Sequence, residues 1–185
     1  QPTKTNLCID DNDVSAFVQP LIGKSPLKID YTLNGTVYKN IDISNLEIKF
    51  SAKSEANYSL SIDKVVDANG CLSTLSGLIS LVSVHKNPVP SFAVSDTIGC
   101  FPLKINFTDI SGEKFTDVTW DFGTGTNSSK DIGTTDFTYQ KQGDYTITYS
   151  VVNEFGCTGE IVKVDKIHVK SSPKAVITTD RNLIN

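Results

Sequence analysis

Residues Pro26–Thr32 read PLKIDYT, and residues Pro102–Thr108 read PLKINFT. In both copies apolar Leu, Ile and an aromatic residue alternate with polar neighbours. In the second copy, Leu103, Ile105 and Phe107 share one face while Lys104, Asn106 and Thr108 share the other. A period of two is the pattern of a strand with one face buried. A duplicated catalytic motif would carry nucleophiles, bases or metal ligands, whereas this heptad carries packing residues. It predicts one strand of a repeated domain.

Outward from the second copy, DVTWDFG directs Val118, Trp120 and Phe122 inward and stops at Gly123 and Gly125. DYTITYSVVN places Tyr145, Ile147, Tyr149 and Val151 on a core face, and EIVKVDKIHVK supplies a closing strand. Strands of this length, separated by Gly, Asn, Asp and Ser, predict an antiparallel sandwich. The first half repeats the order. An acidic stretch, Asp10-Asp11-Asn12-Asp13, precedes PLKIDYT, a hairpin turn at Asn34-Gly35, and VYKNIDI. YSLSIDKVV then runs into Asp67-Ala68-Asn69-Gly70-Cys71, as YTITYSVVN runs into Glu154-Phe155-Gly156-Cys157. The first copy departs in two ways: Cys8 lies well before its heptad, whereas Cys100 lies just before Pro102, and no Trp stands in its middle strand.

A chain of 185 residues accommodates two domains of about 90 residues. It contains no Met, and its β-branched and aromatic residues are spread evenly, a composition of strands and turns. The formal net charge of -4, without a basic cluster, argues against nucleic acid, whose phosphates need a concentrated basic face. The longest apolar run, Leu78 to Val84, is interrupted by Ser80 and Ser83 and is too short to span a bilayer, so no transmembrane segment is expected. A start at Gln1, without Met or a signal segment, reads as a piece of a longer or processed protein.

Four cysteines, Cys8, Cys71, Cys100 and Cys157, fall into two pairs with roughly sixty residues between partners. Of three connectivities, Cys8 with Cys71 and Cys100 with Cys157 keeps each bond within one repeat, which is the expected pairing. The alternative is a pair of reduced, buried thiols in each domain. Without CxxC or His-rich spacing, zinc is disfavoured, and a disulfide places the chain in an oxidising compartment. Closing a loop of about 60 residues contributes roughly 4 kcal/mol in the chain-entropy model.

No residues suggest an enzyme. His85 and His168 read as solvent-facing strand residues, and no GxSxG, HExxH or phosphate-cradling glycine loop is present. Asp117, Asp121, Asp131 and Asp136 supply carboxylates of the kind glycosidases use, but Asp121 alternates out of the core and reads as a turn acceptor. No cofactor is expected. Calcium is the one weak metal candidate, at Asp10, Asp11, Asn12 and Asp13, or at Asp121 with Asp109 or Asp117; the first cluster lacks the spacing of an EF-hand loop. Trp120, with Phe122, reads as core, and Tyr145, opening a strand after Gly143, as a corner tyrosine bonded back to the backbone. Asn34, Asn57, Asn106 and Asn127 each begin an N-x-Ser/Thr triplet, a pattern that arises easily in a Ser- and Thr-rich chain.

Trp120-Asp121-Phe122-Gly123-Thr124-Gly125, followed by Phe137-Thr138-Tyr139 and Gly143-Asp144-Tyr145-Thr146-Ile147, resembles a PKD (polycystic kidney disease) domain over roughly Pro88 to Lys170. Thr124 departs from the usual acidic residue of that turn, which weakens a calcium site there. The tandem arrangement, with a Gly-Cys closing each repeat and a Pro-led start for the next, is similar to the repeats of large Bacteroidetes surface proteins. Those are gliding-motility adhesins and relatives exported by type IX secretion, and the first half resembles their Ig-like repeats. In that setting Asp96-Thr97-Ile98 resembles the O-glycosylation motif, making Thr97 the candidate.

The expected organisation is all-β: an Ig-like β-sandwich over 1–86, a PKD-like β-sandwich over 87–170, and 171–185 opening a further repeat, since SSPKAVITTD echoes NPVPSFAVSD. Pro88 and Pro90 disfavour a free hinge, so the domains are expected to stack semi-rigidly, each with its own disulfide. The implied role is a non-catalytic extracellular spacer at the cell surface, associated with the outer membrane through a membrane protein or a secretion-system component. The competing readings are a protein- or polysaccharide-binding module, or accessory domains of a secreted hydrolase.

Overall fold

The computed structural model describes residues 6–10, 14–17, 23–43, 47–50, 53–74, 79–125, 128–130 and 132–177. Among them every regular element is a strand. The chain divides into two compact units, Gln1–Pro88 with Val152–Thr158, and Val89–Val151 with Gly159–Asn185.

The first unit contains β1 (Asn6–Cys8), β2 (Val14–Phe17), β3 (Leu27–Leu33), β4 (Thr36–Ile43), β5 (Glu47–Phe50), β6 (Ala56–Val66), β7 (Leu72–Thr74) and β8 (Ile79–His85). A six-stranded sheet runs β1-β8-β6-β3-β4, with β7 also on β6, and β2 pairs with β5 in a separate ribbon. The heptad lies in β3. Its alternation buries Leu27, Ile29 and Tyr31, which join Ile43, Ile48 and Leu60 in one cluster. Leu7, Val82 and Val84 form a second, smaller one. The β3–β4 hairpin turns on Asn34 and Gly35, whose φ angles of 51° and 82° are the positive values that a two-residue primed turn needs.

The second unit contains β9 (Phe92–Val94), β10 (Ile98–Cys100), β11 (Leu103–Asp109), β12 (Asp117–Asp121), β13 (Ser128–Ser129), β14 (Thr134–Tyr139), β15 (Gly143–Val152) and β16 (Thr158–Lys170). One sheet runs β10-β16-β15-β12-β13 and the other β14-β11-β9. Phe92, Ile105, Phe107 and Tyr139 from the three-stranded sheet meet Val118, Trp120, Ile147, Tyr149, Val151, Ile167 and Val169 from the five-stranded one in a single core. That is a β-sandwich. Trp120 sits at its centre, fully buried, with its ring stacked 3.8 Å from that of Tyr149.

The two heptads differ in one respect. β11 pairs with β14 in unbroken register, Asn106 opposite Asp136. β3 breaks register with both neighbours around Asp30. There the Asp30 carboxylate accepts the backbone N–H of Asn40 at 2.7 Å, in the place where Asn106 Nδ2 bonds Asp136 Oδ1 at 2.9 Å in the other copy. Asn40 itself takes a positive φ of 53°, so β4 bulges.

The expected disulfides within each repeat are corrected. Cys8 is bonded to Cys157, while Cys71 and Cys100 are free and exposed. Strand geometry gives the reason. Cys8 pairs with His85, and β8 in turn sets Val84 opposite Ala56 at the start of β6. Cys71 lies beyond the other end of that strand of 11 residues, about 35 Å away at strand rise. A disulfide needs Cα atoms within about 7 Å. The second repeat has the same obstacle, because Cys100 pairs with Lys170 at one end of β16 and Cys157 precedes the other end.

Candidate functional site

The feature built most closely alike in the two halves is a turn that ends on a cysteine. In the first, Asp67 N–H donates to Cys71 O at 3.1 Å and Gly70 N–H to Asp67 O at 2.9 Å. Asp67 Oδ1 accepts the amides of Asn69 and Cys71 at 2.9 and 2.7 Å. In the second, Asn153 N–H donates to Cys157 O at 2.9 Å and Gly156 N–H to Asn153 O at 3.0 Å. Asn153 Oδ1 accepts the amides of Phe155 and Cys157 at 3.0 and 2.9 Å. An Asp or Asn oxygen bonding forward to the backbone is what shapes such a turn, and glycine supplies its positive φ, 81° at Gly70 and 84° at Gly156.

The charge on Asp67 has a consequence that Asn153 lacks. Its carboxyl is held below the ordinary value, first by the Cys71 amide and then by those of Lys24 and Asn69, against a smaller opposing effect of desolvation. Its Oδ2 receives the Lys24 amide at 3.3 Å.

The Asn153 turn belongs with the first unit. Cys157 is fully buried there and bonded to Cys8 with 5.4 Å between Cα atoms. Asn153 Nδ2 donates to Lys86 O at 3.2 Å, and the Phe155 ring stacks on His85 at 3.6 Å. His85 is thus half-buried beneath an aromatic ring, which corrects its reading as solvent-facing. Its Nε2 lies 3.1 Å from Asn6 Oδ1. The sequence draws attention to Cys157 but not to Asn153 or Phe155; the signal for them is the match of Asn153 to Asp67, four residues before each cysteine.

The other candidates are dispersed. Asp10 is exposed and 4.0 Å from Lys53, while Asp11 and Asp13, with Asn12, lie outside the described residues. Asp121 accepts the Gly123 amide at 2.8 Å as a turn residue. Asp109 accepts the Ser111 amide at 2.8 Å, and Asp136 is 2.7 Å from Lys104. Asp131 and Asn127 also lie outside the described residues. No group of three or more metal-binding side chains occurs among the described residues. His168 is exposed, its Nδ1 2.7 Å from Asp144 Oδ1.

Phe122 is buried in the core, and Tyr145 packs against it with its hydroxyl donating to Lys141 O at 2.9 Å, a backbone corner bond. Thr97 is exposed, with its carbonyl accepting the His168 amide at 2.8 Å. Asn34 and Asn57 are also exposed, while Asn106 is half-buried and holds Asp136 with its amide. Lys163 is a polar anchor that the strand pattern hides: its Nζ donates to Phe92 O at 2.8 Å and lies 4.0 Å from the centre of the Phe92 ring.

No curated protein matches the sequence significantly. Among solved structures, the PKD1 domain of the Vibrio cholerae metalloprotease PrtV is similar at 22% identity, covering 44% of this chain and 98% of that one, with a TM-score of 0.36. Fibronectin(III)-like modules of Clostridium thermocellum CbhA are similar at 15% identity over 95% of this chain and 94% of theirs, with a TM-score of 0.49. SGBP-B of the Bacteroides ovatus mixed-linkage glucan utilization locus, in complex with a mixed-linkage heptasaccharide, is similar at 16% identity over 92% and 43%, with a TM-score of 0.33. Residues 85–169 match the family model of the PKD domain.

Proposed function

We propose that this chain is a non-catalytic extracellular spacer, a run of two tandem Ig-like and PKD-like sandwiches in a cell-surface adhesin or gliding-motility protein exported by type IX secretion. The observation that carries this reading is the repetition of heptad and cysteine turn, with the same backbone hydrogen bonds in both turns. Repetition of scaffolding is what a reach-building segment requires. The PKD match and a disulfide, which persists in oxidising compartments, support an extracellular location. At the outer membrane, its partner would be a membrane protein or a secretion-system component holding another part of the same molecule.

The test is replacement. In the producing cell, residues 1–170 of the full-length protein are exchanged for two unrelated sandwich domains of equal length. Retained surface display and adhesion or motility support a spacer; loss of function with display intact sinks it.

A second reading, a protein- or polysaccharide-binding module, is favoured by one observation. Edge strand β4 exposes Val37, Tyr38 and Ile41, and the Tyr38 ring stacks on Tyr31 at 4.7 Å. Apolar groups on an open sheet edge suit strand addition or stacking on a sugar. Loss of function on replacement, reproduced by Tyr38→Ala alone, would establish that reading instead.

A further inference from the structure

We propose that Cys71 and Cys100 are the two open ends of a disulfide chain that runs from repeat to repeat, Cys100 bonding the Cys71-type turn of another repeat of the same kind. Neither thiol is a site by itself. The inference is carried by a bonded counterpart of each within this molecule.

Cys100 is the counterpart of Cys8. Each ends a short strand parallel to a longer one, Cys8 opposite His85 at the end of β8 and Cys100 opposite Lys170 at the end of β16. The following residue repeats the match, since Ile9 N–H donates to His85 O and Phe101 N–H to Lys170 O, both at 3.0 Å. Cys71 is the counterpart of Cys157 in its turn, bond for bond. The observed disulfide joins a strand-end cysteine to a turn cysteine, Cys8 of the first sequence copy to Cys157 of the second, both within the first compact unit. What remains is one cysteine of each type, both exposed. The same rule applied again joins Cys100 forward to a turn cysteine and Cys71 backward to a strand-end cysteine.

The chemistry is thiol–disulfide exchange with a small-molecule disulfide as oxidant. The Cys100 thiolate attacks oxidised glutathione, forming a mixed disulfide and releasing one glutathione thiolate. The Cys71 thiolate of the other repeat then attacks the protein-side sulfur, forming the protein disulfide and releasing the second glutathione. Two protein thiols lose two electrons and two protons, and one glutathione disulfide becomes two thiols.

Such stitching deepens the spacer reading and rests on it. The experiment uses a second copy of this chain as the partner repeat. Cys71→Ser and Cys100→Ser variants, each retaining the Cys8–Cys157 bond by peptide mapping, are incubated separately and mixed in a glutathione redox buffer at high protein concentration. Dimers are then resolved without reductant. In the mixture, random collision would make about half the dimers heterodimeric; head-to-tail pairing predicts that nearly all are, linked Cys71 to Cys100, while each variant alone stays monomeric. The wild-type chain is expected to form a ladder of covalent oligomers. Heterodimers at the random share, an intramolecular Cys71–Cys100 bond in wild type, or thiols that stay free would each overturn the proposal. None of these outcomes touches the replacement experiment, so stitching and spacer can fail separately.

Discussion

Replacing Trp120 with Ala tests whether the second sandwich depends on a single packed centre. The indole is fully buried, stacked on Tyr149 at 3.8 Å, edge-on to Phe92 at 5.4 Å and tilted against Phe107 at 5.8 Å. An aromatic side chain that buries about 200 Å², at roughly 25 cal/mol per Å², represents about 5 kcal/mol of transfer energy, of which a methyl keeps about 1. Losing the ring stacking adds about 1 kcal/mol, and partial collapse of the cavity returns a similar amount. The expected loss is therefore about 4 kcal/mol, a large part of the roughly 5–15 kcal/mol that holds an ordinary domain together. Urea unfolding followed by far-UV circular dichroism measures it in every variant. In the wild type, Trp120 is the chain's one tryptophan, so its fluorescence assigns which transition belongs to the second unit. Trp120→Phe, which keeps a ring in the stack, should cost no more than about 2 kcal/mol. An alanine variant that loses less than about 1.5 kcal/mol at an unchanged denaturant slope would refute the packing account.

Three further outcomes follow from named contacts. Gly123→Ala puts a Cβ 2.5 Å from Thr146 O at a φ of 76° and should cost about 2 kcal/mol or more, whereas Gly125→Ala, at a φ of 82° in open space, should cost about 1; equal shifts in thermal melting would exclude the Thr146 clash as the cause. The Tyr139 phenol is raised by burial and then by Tyr145 and Asp121, and that of Tyr149 by burial and then Asp109. Unfolded phenols ionise near 10.0, so this stability is intact below that pH and is lost as pH rises above it; a flat alkaline limb in melting experiments would contradict the assignment. The lowered carboxyl of Asp67 contributes stability that is present above its ordinary value of 3.8 and lost as pH falls below it. Asp67→Asn, which copies the Asn153 turn, should keep the Asn69 and Cys71 amide resonances in place at neutral pH and remove their acid-induced shifts; shifts that persist would place the titration elsewhere.

The parts legible in the sequence are those fixed by local periodicity or by a single residue's backbone preference. The alternation in PLKIDYT and PLKINFT forecasts a buried face because strand geometry allows no other use of a period of two, and Ile29, Tyr31, Ile105 and Phe107 are buried. Asn34-Gly35 forecasts its turn because few residues accept two successive positive φ values. The bulge at Asp30 was not legible: Asp30 and Asn106 sit at matching places in near-identical heptads, and what separates them is the partner strand, with Asn40 donating to one and Asp136 accepting from the other. Nor was the stacking of Phe155 on His85 legible, since it joins residues 70 positions apart through a turn whose own sequence only shapes its backbone.

The cysteines show why equal spacing misleads. In a repeat, equal spacing means that residues are equivalent, and equivalence says where each one sits in its own copy. Bonding needs a different property, closeness, and a long strand separates the two cysteine positions of one copy: β6 in the first and β16 in the second. In each copy the strand-end cysteine and the turn cysteine lie at opposite ends of such a strand, so they cannot bond each other. Cys8 with Cys157 obeys that constraint and closes a loop with a sequence separation of 149, which in the chain-entropy model is worth about 5 kcal/mol, against roughly 4 for a loop confined to one repeat. A long strand with a cysteine beyond each end thus holds the two cysteines of one repeat beyond bonding distance of each other.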